Sequence, residues 1–108
     1  MRMLVLGGAE IPFDSSGNYV VKNLFLNMLN KRRIDRGKGL FNITAFLKTK
    51  SAQELEREVG APLLKGDWLH RFAVLHIIRK NDAGLWIDVL KWGEDYLTSN
   101  EGNTLPQF

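Results

Sequence analysis

The chain has 108 residues and a formal net charge of +3; 44% of the residues are hydrophobic, 25% are charged and none is cysteine. These values are typical of one globular domain, and they exclude a collagen-like or disordered chain, disulfide bonds and zinc sites built on thiolates. The apolar start is too short for a signal peptide and no apolar stretch approaches the ~20 residues of a membrane helix, so we expect a cytoplasmic protein with no membrane partner.

Basic residues are concentrated in one segment of the chain. Seven residues between positions 31 and 50 are basic and one, Asp35, is acidic, whereas five acids accompany one base, Lys91, between positions 82 and 101. Such asymmetry predicts one surface that attracts polyanions. A solvated loop that happens to be basic would give the same pattern, so charge alone leaves both interpretations open.

Turn-forming residues divide the first half of the chain into three predicted strands. A short apolar run over residues 1–8 ends at two glycines, and a turn at residues 14–18 separates it from a long strand over 19–33. That second segment also has partly helical spacing, but its valine pair and flanking turns favour a strand. A basic, glycine-containing loop then leads to the third strand, over residues 40–48.

Alternation in the third predicted strand singles out Phe46. The odd-numbered residues from 41 to 47 are apolar and would form the buried face, which leaves Phe46 on the opposite face among polar side chains. An aromatic ring exposed in that way is suited to stacking on a nucleobase. The alternative is an ordinary core phenylalanine.

The second half of the chain predicts the only helix and two more strands. Ser51 and Glu54 have the spacing of a capping box that opens a helix, and Gly60 ends it. A turn at residues 65–67 leads into a long strand over residues 68–80.

A hairpin loop over residues 81–84 joins that strand to the last one, over 85–92. Five strands with a helix between the third and the fourth predict an all-β fold, the five-stranded OB-fold Greek-key barrel. We expect this domain to span residues 1–95 and a short flexible C-terminal tail to span residues 96–108.

Six short motifs, in order over about residues 3–92, resemble those of bacterial and phage single-stranded DNA-binding proteins. They are MLVLGG, FDSSGN, a strand ending in NKRR, FNITAF, AQELEREV and LLKGDW. The resemblance implies that Phe46 is the base-stacking residue and that the basic residues 31–33 follow the phosphates. The chain departs from the family at Leu40, near which the family often has a tryptophan, and it lacks the glycine that usually interrupts the fourth strand.

The carboxyl end departs from the family as well. Tails of that family commonly end in several aspartates and an apolar tip that contacts partner enzymes. Here the acidic run is missing, while Leu105, Pro106 and Phe108 retain the character of the tip. The resemblance therefore implies a possible protein partner at this tip.

Together these observations predict a single-stranded DNA-binding protein without sequence preference, acting in replication, recombination or repair of a bacterial, phage or mobile-element genome. We expect a homo-oligomer, a dimer or tetramer, with no enzyme activity and no cofactor. The predicted nucleic-acid-binding residues are Lys22, Lys31, Arg32, Arg33, Arg36, Lys38, Phe46, Lys48, Arg79, Lys80 and Trp86. Two alternatives remain open: an RNA-binding OB domain, and a small phage or mobile-element protein that inhibits or regulates a protein partner.

Patterns for catalysis and metal binding are absent from the sequence. The motifs of P-loops, serine hydrolases and zinc peptidases do not occur. His70 and His76 would share one face of a predicted strand, but no third ligand accompanies them, so we interpret them as ordinary sheet histidines. Trp92 and Tyr96 are candidates for the subunit interface.

Overall fold

Helices, rather than strands, form most of the structure. A computed structural model describes the backbone of residues 2–99 and the side chains of residues 2–91. The described elements, in chain order, are β1 (Met3–Leu6), β2 (Ala9–Pro12), β3 (Tyr19–Val21), α1 (Lys22–Asp35), α2 (Ile43–Leu47), α3 (Lys50–Val59), β4 (Leu64–Lys65), β5 (Trp68–His70), α4 (Arg71–Asn81) and α5 (Ala83–Ser99). The predicted all-β OB-fold barrel is therefore wrong, because two small sheets of two and three strands accompany five helices in this part of the chain.

The N-terminal strand is confirmed, but the bend or bulge expected at its two glycines is a hairpin turn into β2, a strand that was not predicted from the sequence. Strands β1 and β2 form an antiparallel hairpin in which Leu6 pairs with Ala9. The turn between them consists of Gly7 and Gly8, with φ of 55° and 80°. Two consecutive positive φ angles match the twist of a two-residue hairpin, and glycine adopts them without a Cβ clash.

The second sheet has the order β3-β5-β4 and is antiparallel throughout. A bridge between Phe13 and Val20 links it to the first hairpin. The turns predicted at residues 14–18 and 65–67 are confirmed. The first connects β2 to β3, and the second connects β4 to β5. A hydrogen bond from the Ser16 hydroxyl orders the first turn and lowers the pKa of Asp14.

The two long strands predicted over residues 19–33 and 68–80 are wrong. Each begins as a three-residue strand, β3 or β5, and continues without a break as a helix, α1 or α4. The buried residues explain why: α1 buries Phe25, Met28 and Leu29, and α4 buries the pairs at positions 73–74 and 77–78. This spacing places them on one face of a helix, whereas a strand would bury every second residue.

The strands predicted over residues 40–48 and 85–92 are also wrong. The first segment contains α2, and the second lies within α5. The predicted hairpin loop at residues 81–84 is reduced to Asp82, which separates α4 from α5. The residues between α1 and α2 form a loop without strand pairing.

The helix predicted after Ser51 is confirmed as α3, but its cap differs. The hydroxyl of Thr49, not that of Ser51, accepts the N–H of Ala52 at 3.2 Å, so the capping box of Ser51 and Glu54 does not form. Gly60 ends the helix as predicted, with a left-handed φ of 75° that favours glycine.

One hydrophobic core joins both sheets to the helices. Its buried members include Ile11 from the hairpin, Val20 and Leu69 from the second sheet, and Leu29 and Ile77 from the helices. No helix in the described residues has the length and apolar character needed to cross a membrane. Residues 100–108 of the predicted tail, including the tip residues Leu105, Pro106 and Phe108, lie outside the described residues, as do the side chains of Trp92 and Tyr96.

Candidate nucleic-acid interface

Three helix ends meet at one end of the molecule and bring basic side chains from distant segments together. Arg33, near the end of α1, donates a hydrogen bond to Asn81 Oδ1 at 3.0 Å, and Arg36 donates to the Asn81 carbonyl at 3.4 Å. Lys80, near the end of α4, donates to the hydroxyl of Ser51 in the first turn of α3 at 3.3 Å. We call the cations of these helix ends and their loops the basic end: Arg33, Arg36, Lys38, Lys48, Lys50, Arg79 and Lys80.

The loop that carries Lys38 is fixed to the end of α1. Its first residues close the helix, because Gly37 has a φ of 75° and the Lys38 N–H donates to the Arg33 carbonyl at 2.8 Å. Farther along, the Gly39 carbonyl accepts a hydrogen bond from Arg33 Nε at 2.7 Å. Lys38 is exposed between these two anchors, beside the arginines of α1.

A buried carboxylate holds two arginines of α1. Asp82 has a side-chain exposure of 0% and accepts hydrogen bonds from Arg32 Nε at 2.7 Å and from a second nitrogen of Arg32 at 3.1 Å; it also forms an ion pair with Arg36 at 3.3 Å. It also accepts the N–H of Leu85 at 3.1 Å, which is the geometry of a helix N-cap for α5. The hydrogen bond from Arg32 holds the pKa of Asp82 below its ordinary value.

Sequence reasoning missed Asp82 by placing it in a hairpin loop. A signal was present, because an aspartate directly before the apolar positions 85, 86 and 89 is typical of a helix start. Its partners, Arg32 and Arg36, lie at positions that no local pattern connects to it.

Positive charge at the basic end is only partly neutralised. Within the described residues, the ion pairs are those of Arg32 and Arg36 with Asp82. Lys38, Lys48, Lys50, Arg79 and Lys80 are exposed. The exposed acids nearest to them along the chain are Asp35 on α1, Glu54 on α3 and Asp88 on α5. An excess of cations therefore faces solvent from three helices.

Phe46 is a core residue, and the prediction that it forms an exposed stacking platform is wrong. It is 9% exposed, and its ring lies 5.9 Å from that of Phe41 and 5.8 Å from that of His76, measured between centroids. The physical reason is that α2 is a helix, so residues three or four apart share a face. Phe46 accordingly packs inward with Ile43.

The other predicted residues are dispersed. Trp86 is half-buried and packs against the core, so it is not the fully exposed ring that was predicted to stack. Lys22 begins α1 and lies about 20 Å along the 14-residue helix from the basic end. Lys31 is exposed on α1, and Arg32 is engaged by Asp82.

The two histidines belong to the interior rather than to a ligand site. His70 is 5% exposed, and its Nδ1 accepts the N–H of Phe72 at 3.1 Å, which caps α4. Burial, and then the charge of Arg71, lower the pKa of His70; burial, and then Lys80 and Arg79, lower the pKa of His76. Among the residues that the structure describes, no group of three or more acids or histidines could hold a metal ion.

The geometry of the basic end is suited to binding a chain of phosphates. Its cations are mounted on helix ends that pack on one core, and arginine and lysine are the side chains that proteins use to contact phosphate oxygens. The motifs that resemble single-stranded DNA-binding proteins lie largely on helices and loops here, as with FNITAF in the loop before α2 and in α2 itself. Comparison with protein-family models, curated proteins and solved structures finds no match for this chain.

Proposed function

We propose that the protein binds DNA through the basic end, by contacts to the phosphate backbone. The observation that carries the proposal is the convergence of exposed cations from α1, α3 and α4 at one end of the molecule. Each phosphate that a cation neutralises releases condensed counterions, which gives sequence-independent affinity. A genomic partner also fits the cytoplasmic location expected from the sequence.

The burial of the two rings predicted to stack favours the double helix over the single strand; Phe72, which is 40% exposed, lies at the start of α4, away from the basic end. Binding of single strands relies on aromatic faces that stack on unpaired bases. Phe46 is buried in the core and Trp86 is half-buried, so neither predicted ring is a fully exposed stacking platform. A duplex needs no platform, because its paired bases stay stacked and its phosphates carry most of the contacts.

The test is fluorescence anisotropy with a short labelled duplex, the same sequence as a single strand and an RNA copy of it. We expect the duplex to bind most tightly, and the logarithm of its affinity to fall with the logarithm of salt by about 0.9 for each phosphate contact. Tighter binding of the single strand or the RNA would contradict the duplex proposal, and absence of binding at low salt would contradict any nucleic-acid function.

A pair of matched double variants locates the interface. Lys48→Gln with Lys50→Gln removes two exposed charges from the basic end. The control, Lys22→Gln with Lys65→Gln, removes two charges near β3 and β5, at the other end of α1. We expect the first variant to reduce the salt slope by about 2 and the control to leave it nearly unchanged. Equal effects would mean that only net charge matters.

A further inference from the structure

Leu40 is an apolar side chain left in solvent inside the basic end. Its exposure of 67% is the highest among the large hydrophobic side chains of the described residues. Ile34, in the last turn of α1, is 57% exposed. Single exposed apolar residues are common on protein surfaces, so exposure by itself needs no function.

Hydrogen bonds hold the backbone on both sides of Leu40, so the exposed position of its side chain is set by the structure of the loop. The Gly39 carbonyl accepts from Arg33 Nε at 2.7 Å, and the Phe41 N–H donates to Asn30 Oδ1 at 2.7 Å. The Phe41 ring packs on the core, one residue away. Leu40 therefore projects from an anchored loop in which Arg33 is bonded to the preceding residue and Lys38 lies two residues before it, while Asp35 and Arg36 end the helix that leads into the loop.

From this arrangement we propose that Leu40 is a wedge that inserts between base pairs of duplex DNA from the minor groove and kinks the duplex. The inference rests on the proposed function. Proteins that bend DNA commonly insert an apolar side chain at a base step, while cations beside it hold the flanking phosphates. Leu40 provides the apolar group and its basic neighbours provide the complementary charge for a polyanion.

A basic surface with an apolar tip is also a pattern found at anionic membranes. Membrane binding of that kind depends on a broad apolar face that enters the lipid. The loop offers one leucine, with Ile34 on the preceding helix turn, and the cation bonded to the loop itself is an arginine, Arg33. These features favour insertion at one base step over insertion into lipid.

The experiment uses the full chain and a duplex with 2-aminopurine at a central TA step and a fluorophore at each end. Pyrimidine–purine steps are the easiest to unstack. We expect the wild-type protein to raise 2-aminopurine fluorescence and to increase energy transfer between the ends, as a kink of between about 20° and 90° requires. Leu40→Ala should abolish both signals and weaken binding about tenfold, because the apolar contact is lost.

The control is Leu90→Ala, which truncates a leucine of α5 that is 54% exposed. It should behave as the wild type. Should Leu40→Ala unfold at a lower temperature than the control, Leu40→Gln, which keeps the side-chain length and removes its apolar end, provides the same comparison.

Four outcomes overturn the wedge. If the wild type binds the duplex without unstacking or bending it, or if Leu40→Ala bends it equally, the wedge is rejected while the DNA-binding proposal stands. If no duplex binds, both fail. If Leu40→Ala weakens binding to vesicles of phosphatidylcholine and phosphatidylserine but not to the duplex, Leu40 is a membrane contact and the wedge is rejected.

Discussion

Replacing Asp82 with alanine tests the interactions by which this carboxylate links α1 to the junction of α4 and α5. The variant loses the N-cap acceptor of α5, which contributes about 1 kcal/mol in comparable helices. It also loses two charge-assisted hydrogen bonds from Arg32, a side chain that remains 34% exposed. Solvent screening at such a group reduces their joint contribution to about 1–2 kcal/mol.

We therefore expect Asp82→Ala to lower the free energy of unfolding by about 2–3 kcal/mol, and the melting temperature by roughly 10–20 °C in a domain of this size. The assay is urea unfolding at neutral pH, followed by the helical circular dichroism signal. Asp82→Asn keeps a cap acceptor without the charge and should lose about half as much. The control, Asp88→Ala, removes an exposed acid of α5 and should change stability by less than about 0.5 kcal/mol.

A double variant with Arg32→Ala isolates the ion pair. Its loss of stability should be smaller than the sum of the two single losses, because the second substitution removes a bond that the first has already broken. A loss below about 1 kcal/mol for Asp82→Ala, or additive losses in the double variant, would refute the reasoning. Because the folded state lowers the pKa of Asp82, its stabilisation is complete above the unfolded value of ~3.9 and disappears as pH falls through the folded pKa.

Two further predictions concern the core and pH. Phe46→Ala should lower the free energy of unfolding by about 3–5 kcal/mol, because it leaves a cavity in the core. The control, Thr44→Ala on the exposed side of α2, should have little effect. Equal melting temperatures of the two variants would contradict the burial of Phe46. Burial lowers the pKa of His70 in the folded state, so at a pH below ~6.5 the unfolded chain binds more protons than the folded protein. The free energy of unfolding should therefore decrease as pH falls from ~6.5 to the folded pKa of His70. His76, whose pKa burial also lowers, contributes to the same decrease. His70→Asn keeps a cap acceptor that does not titrate and should reduce this decrease in urea midpoints by the His70 share; an unchanged pH profile would mean that His70 does not contribute to it.

Local signals in the sequence identified the turns and one helix. Gly17 lies in the turn before β3, Gly66 lies in the turn between β4 and β5, and Gly60 ends α3. Each of these depends on residues within a few positions of one another, and glycine alone adopts the required positive φ at low cost. Such features are set before any long-range contact forms.

Tertiary contacts decided between strand and helix in the remaining segments. The N-cap residue of α1 is Val21, which makes no side-chain cap hydrogen bond, and the helix leaves Leu24 and Ile34 exposed. Without a start signal or a clean apolar stripe, the segment resembled a strand as much as a helix. Packing of Phe25 and Leu29 into a core shared with both sheets selected the helix.

The sequence alone located the basic segment and the excess of positive charge, because charge is a property of composition. Only the tertiary structure decided which cations lie close together and that the ring of Phe46 lies in the core. Arg32 and Asp82 are separated by 50 positions, and the contacts of Asn81 and Ser51 that assemble the basic end likewise join distant segments. The direction of a side chain depends on whether its segment is a helix or a strand. Because α2 was predicted as a strand, Phe46 was assigned to the solvent face although it lies in the core.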